Sequence, residues 1–205
     1  MSITEYIILI VTAAIGIILG RYLGIHHKLK KNKKTYEKTA KVENKNTPAN
    51  PYNEIISLLN KNKVEYQIFK HEPVYTSKQA AQIRGDDIKN GVKALLFKAN
   101  DNFVLVIIPA NKRVSEKKLK ELLGVEKVKL AFPEEVKKVM GCEIGACYPI
   151  GNIIPVKTLI DKLIREKGTI SFNPGVHNKT IMMTTKDYFE LVKREVVDIS
   201  QENAN

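Results

Sequence analysis

Seven residues, Phe103-Val104-Leu105-Val106-Ile107-Ile108-Pro109, form an unbroken apolar run closed by a proline. A strand sends alternate side chains to opposite faces, so a run without polar alternation needs cover on both of them. Such a strand belongs inside a sheet. The segment before it, Gly91 to Lys98, also reads as a strand, and Asn100-Asp101-Asn102 between the two supplies a turn, so the pair is expected to form a hairpin. The surroundings alternate irregularly. Ile55, Ile56, Leu58 and Leu59 mark a short amphipathic helix, and Val64 to Phe69 alternates as a strand. Ser77 is placed to cap a helix that ends at Gly85, and Ser115 one that Gly124 closes. Val128 to Ala131 reads as a strand and Pro133 opens another helix. Strands are then expected over 153–158, 169–172, 181–184 and 196–199, with a helix over 187–192. A hairpin within this order predicts an α+β fold, a mixed and largely antiparallel sheet with flanking helices, rather than a doubly wound parallel sheet.

The N-terminal part has a different character. Tyr6 to Ile25 is apolar except for Arg21 and spans 20 residues, or about 30 Å of helix, the thickness of a bilayer's hydrocarbon. Met1-Ser2-Ile3-Thr4-Glu5 lacks the basic residues that a signal peptide needs, so a transmembrane anchor is the expectation. Five lysines follow between His26 and Lys34, which orients the remainder to the cytoplasm. Residues 1–26 are read as the anchor and its flank, 27–50 as a flexible linker rich in Lys, Asn and Thr, and 51–205 as the domain. The formal charge of +12 is concentrated outside that domain: residues 21–50 hold nine Lys and Arg against two Glu, leaving +6 for residues 51–205. That balance permits a polyanionic partner without requiring one. Two cysteines, Cys142 and Cys147, exclude a disulfide framework, and with only four histidines the spacing expected of a metal site is missing.

Chemistry concentrates at three places. Lys93 shares a strand face with Leu95 and Phe97. An ammonium there either snorkels to water or serves a pocket that needs positive charge. The loop from Gly141 to Gly151 holds three glycines and Pro149, which specifies unusual backbone angles and lets N–H groups approach an anion or oxyanion. A plain tight connection is the alternative. Asn173-Pro174-Gly175-Val176-His177-Asn178 is a further turn, with a histidine that is either functional or a structural hydrogen-bonder.

In order, His71-Glu72-Pro73-Val74-Tyr75-Thr76-Ser77, Val92 to Phe97, Phe103 to Val106, Pro109 to Val114, Gly141 to Gly151, Ile160-Asp161 and Asn173-Pro174-Gly175 resemble the YbaK/prolyl-tRNA-synthetase-associated family of aminoacyl-tRNA editing domains over most of residues 53–199. The resemblance implies an aminoacyl-tRNA deacylase that acts in trans and needs no cofactor or metal. It implies Lys93 and Asp161 as catalytic residues, with Lys93 on the 3′-terminal nucleotide and ester of the tRNA. It also implies substrate contacts from Gly141, from Gly145-Ala146-Cys147-Tyr148-Pro149, from His177 and from Tyr75. Ala94 stands where many members carry a hydroxyl. Expected partners are the aminoacyl-tRNA 3′ end, the membrane through the N-terminal helix, and translation components. A non-catalytic module that binds tRNA, a nucleotide or a protein at the membrane is the alternative, and nothing in the sequence sets the oligomeric state.

Overall fold

The computed structural model describes residues 47–85 and 87–202. The expected anchor at 1–26 and the linker up to residue 46 lie outside the described residues. Among those described, no helix is long and apolar enough to cross a membrane.

The elements run α1 (Pro51–Lys61), β1 (Tyr66–Lys70), α2 (Ser77–Arg84), β2 (Val92–Ala99), β3 (Asn102–Pro109), β4 (Arg113–Val114), α3 (Glu116–Leu123), β5 (Val128–Leu130), α4 (Pro133–Met140), β6 (Lys157–Asp161), β7 (Thr169–Phe172), β8 (Lys179–Thr184), α5 (Thr185–Val192), β9 (Glu195–Val197) and β10 (Ser200–Gln201). The main sheet has five strands in the order β5-β2-β3-β6-β9. β3 lies in the middle, antiparallel to β2 and parallel to β6. Its apolar run is explained by the two cores it separates. Leu105 and Ile107 point into one with residues of α1, α4 and α5, while Val104, Val106 and Ile108 point into the other with Leu119 and Leu123 of α3. A second sheet, β1-β8-β7, is wholly antiparallel, and β4 pairs with β10. The architecture is therefore α+β and mixed, but divided among three sheets.

Local chemistry sets the helix ends. The Thr76 hydroxyl accepts from Gln79 N–H while the Gln79 side chain reaches back to the Thr76 N–H, so the cap falls one residue before Ser77. The Ser115 and Gly124 caps lie at the expected positions. The strand expected over 153–158 runs instead from Lys157 to Asp161. Pro155 cannot donate to an interior ladder, so pairing with β3 begins only beyond it. The body also begins earlier than residue 51: Pro48 is buried, and the Thr47 hydroxyl donates to Lys138 O at 2.6 Å. Thr47 and Pro48 of the expected linker are therefore packed on the domain, and Asn50 caps α1.

Candidate functional site

The first half of β2 borders a cleft of about 310 Å³. β5 pairs only with Phe97, Lys98 and Ala99, which leaves Val92 to Leu96 along one wall. Leu130 and Ala131 after β5, with Val136 of α4, continue that wall. The other side carries Tyr75, Thr76 and Ser77 at the start of α2, then Gly145, Cys147 and Asn173.

Lys93 lies half-buried at one end, where its Nζ donates to Ala110 O at 3.1 Å. Burial, and then the Arg113 guanidinium nearby, hold its pKa below the ordinary lysine value. No carboxylate forms an ion pair with it among the described residues. It is therefore a cation available to a ligand rather than one already neutralised.

The opposing wall is built from three loops tied to one another. His71 N–H donates to Asn178 O, Val74 N–H to His177 O, and Gly175 N–H to Ala146 O. Asn173 Nδ2 donates to Gly145 O at 2.8 Å and so fixes the glycine loop from behind. Gly145 has φ +87°, and a Cβ there would sit 3.1 Å from Tyr75 O and 3.2 Å from His177 Cε1, so only glycine fits without displacing that neighbour. The Gly145 N–H makes no hydrogen bond among the described residues. His177 lies under Tyr75, with ring centroids 4.4 Å apart, and its Nδ1 is 2.9 Å from Val74 O. A carbonyl can only accept, so Nδ1 carries the proton. Its Nε2 is buried without a hydrogen bond, although Glu143 Oε2 stands 3.5 Å away; that separation and orientation make a weak electrostatic contact rather than a bond.

The structure brings together Lys93, Tyr75, Gly145 and Cys147 on the cleft, with His177 directly behind Tyr75. The remaining expected site residues lie elsewhere. Asp161 is fully buried at the end of β6, away from the cleft, and all its hydrogen bonds bind backbone: Oδ1 accepts from Leu163 N–H at 3.0 Å, and Oδ2 from Ile199 N–H at 3.0 Å and Ser200 N–H at 2.8 Å. It clamps two chain segments and does not line the cleft. Gly141 caps α4 at φ +67° and packs on Pro48. Ala146 is buried, and Tyr148 lies in the core with its hydroxyl donating to Met140 O. Pro149 offers its carbonyl to the Tyr188 hydroxyl, inside the protein. Only part of the glycine loop faces the cleft, because its other residues anchor it. Cys142, hydrogen-bonded to Cys147 and buried, has its pKa pushed far up and stays a thiol.

Thr76, Ser77, Leu130, Ala131 and Asn173 also line the cleft, outside the site residues expected from the sequence. Asn173 had a readable signal, since Asn-Pro-Gly is a turn that has to dock somewhere. Leu130 and Ala131 had none, because only the shortness of β5 exposes them to the cleft.

Residues 71–191 match the family model for the aminoacyl-tRNA editing domain. The chain is 30% identical over 149 residues to the multifunctional Ser/Thr-tRNA deacylase ProXp-y of Escherichia coli K12, covering 70% of this chain and 89% of that protein. It is 37% identical over 111 residues to the proline–tRNA ligase of Thermosipho melanesiensis, covering 49% of this chain and 20% of the ligase. A crystal structure of a proposed trans-editing enzyme for prolyl tRNA synthetase superposes with a TM-score of 0.65 at 22% identity, covering 74% of this chain and 97% of that one.

Proposed function

The chain belongs to the aminoacyl-tRNA editing domain family, an aminoacyl-tRNA deacylase by that membership, and we propose that it removes amino acids from mischarged tRNA in trans while tethered to a membrane. The observation that carries the reading is the placement of Lys93 and Gly145 on one cleft. Ester hydrolysis adds water across the acyl–oxygen bond, releasing the amino acid and the tRNA's free ribose hydroxyl. The ester is already activated, so positioning and stabilisation of the developing oxyanion supply most of what is needed. Lys93 contributes a cation that is not paid for by a neighbouring carboxylate, and Gly145 an unengaged N–H. Water is the nucleophile, since no described side chain in the cleft forms a nucleophile–base pair, and the ribose's neighbouring hydroxyl is placed to orient that water. The volume of about 310 Å³ lies at the small end of ligand pockets and suits one aminoacylated nucleoside.

The tether rests on the apolar stretch from Tyr6 to Ile25, and the five lysines behind it support a cytoplasmic orientation of the domain. The E. coli relative puts seryl- and threonyl-tRNA first among substrates to try. Full-length protein in detergent is expected to release an amino acid from at least one member of a mischarged-tRNA panel, and Lys93→Ala to abolish the release. Folded protein that binds tRNA yet turns over none of the panel would make it a binding module instead.

A further inference from the structure

We propose that the open stretch of β2 is itself a subsite, which receives the aminoacyl group as the missing residue of a β-ladder. The inference rests on the deacylase reading and specifies how the substrate's reacting end is held. Ala110 N–H donates to Gly91 O at 2.9 Å, so the backbone groups of Gly91 face β3. Those of successive strand residues face alternate edges, which directs Val92, Ala94 and Leu96 to the other side. Ala131 N–H, donating to Leu96 O at 2.9 Å, lies on that side and agrees with the assignment. This outer edge is closed at both ends: Ser171 bridges to Gly91, and the β5 segment takes over from Leu96 onward. Between them Ala94 has no partner strand among the described residues. Residues 92–96 all line the cleft, and Ala94 is only 5% exposed.

A nearly buried residue with an unmatched N–H and C=O is costly, and sheet edges are normally covered. The gap is one residue pair long. An aminoacyl ester carries a nitrogen donor and a carbonyl acceptor on either side of one carbon, which is the pattern of a single backbone residue. Paired antiparallel with Ala94, its α-ammonium donates to Ala94 O while its ester carbonyl accepts from Ala94 N–H, the two-bond exchange of a hydrogen-bonded ladder pair. The same Ala94 N–H then polarises the carbonyl that water attacks. No side chain is required, which explains how alanine serves at this position.

The edge requires a free amino group. Two stable amide analogues test it: 3′-serylamino-3′-deoxyadenosine, and its 3-hydroxypropionyl counterpart, which lacks only the α-amino group. Full-length protein in detergent micelles, labelled with ¹⁵N, is titrated with each and with adenosine. The seryl analogue is expected to shift the Ala94 amide signal and slow its hydrogen exchange, adenosine alone to leave Ala94 unmoved, and loss of the amino group to weaken binding roughly tenfold or more, as for a hydrogen bond to a charged group. If the seryl analogue binds and shifts Lys93 and Gly145 while Ala94 stays unmoved, or if both analogues bind equally, the ladder inference is overturned and the deacylase reading survives on Lys93-dependent turnover. If neither analogue binds and no tRNA is deacylated, both readings fall together.

Discussion

Lys93 and Lys98 stand five residues apart on the same strand and have opposite environments. Lys98 Nζ lies 2.8 Å from Glu135 Oε1 and over the Phe103 ring, and the hydrogen bond it donates to Glu135, followed by the charge of that carboxylate, raises the Lys98 pKa. Lys93 has a carbonyl for company, and burial lowers its pKa. The difference follows from the extent of β5. Where β5 pairs with β2, Glu135 at the start of α4 is brought over the strand: it also accepts from Phe132 N–H, at 2.9 Å. Where β5 stops, the strand edge and its lysine border the cleft. One half of β2 is sealed and its charge neutralised, while the other half is open and its charge unspent.

The largest expected effect separates the two lysines directly. Lys93→Ala is expected to lower kcat/KM for deacylation by about 100-fold or more, in line with the loss of a group that stabilises transition-state charge. Its thermal midpoint should be unchanged or higher, because a partly buried ammonium is removed. Lys98→Ala should keep activity within about twofold, the usual result for a charge remote from the chemistry. Steady-state kinetics on a mischarged aminoacyl-tRNA, with thermal melts on the same samples, decide the matter. Equal losses of activity would erase the distinction between the halves of β2.

Gly145→Ala sharpens the comparison from across the cleft. At φ +87° an alanine is strained, and its Cβ would press on Tyr75 O and His177 Cε1. The strain costs about 1 kcal/mol or more, and displacement of the loop by a fraction of an ångström is expected to reduce kcat by roughly tenfold. A variant with wild-type kcat would mean that the loop closes the cleft without touching the chemistry.

Asp161→Asn should do the reverse. Its two oxygens accept three backbone N–H groups, and an amide replaces one acceptor by a donor facing a donor. The expected loss of stability is about 2 kcal/mol, read as a lower urea midpoint, with kcat retained in the folded fraction at low temperature. A folded variant with kcat reduced 100-fold would return Asp161 to the catalytic machinery.

How much of this could be read beforehand follows from the range of the forces involved. β3 was legible as an interior strand because apolar residues on both faces report a double core within one short window. Lys93 and Gly145 were legible as a charge and a conformation that need a reason. The place of Asp161 was not legible, because a carboxylate clamping backbone N–H groups and one facing a substrate look alike in sequence; its partners at Ile199 and Ser200 are 38 and 39 residues away. Glycine and proline spacing in the loop from Gly141 to Gly151 does not separate the residues that face the cleft from those that hold the loop, such as Tyr148 and Pro149, which anchor it through bonds to Met140 and Tyr188. The open edge at Ala94 had no signature at all. It exists because β5 is three residues long and because Ser171 arrives from another sheet, and neither is a local property of the chain.

The smallest effect expected is a pair of opposite pH dependences. A lysine whose folded pKa is lowered destabilises the fold fully below that pKa, and the penalty disappears as pH rises towards 10.5, the unperturbed value. A lysine whose folded pKa is raised contributes stability that is complete below 10.5 and is lost only as pH climbs through the higher folded value. Lys93→Met and Lys98→Met remove these contributions one at a time. In melts taken at rising alkaline pH, the stability advantage of Lys93→Met over the wild type should shrink before pH 10.5, while the deficit of Lys98→Met should hold steady through the same interval. Wild-type deacylation should lose its Lys93-dependent rate within the window where the first gap closes, because the cation itself is being titrated. If the two gaps changed together, the lysines would share one environment, and the unpaired half of β2 would have no electrostatic character of its own.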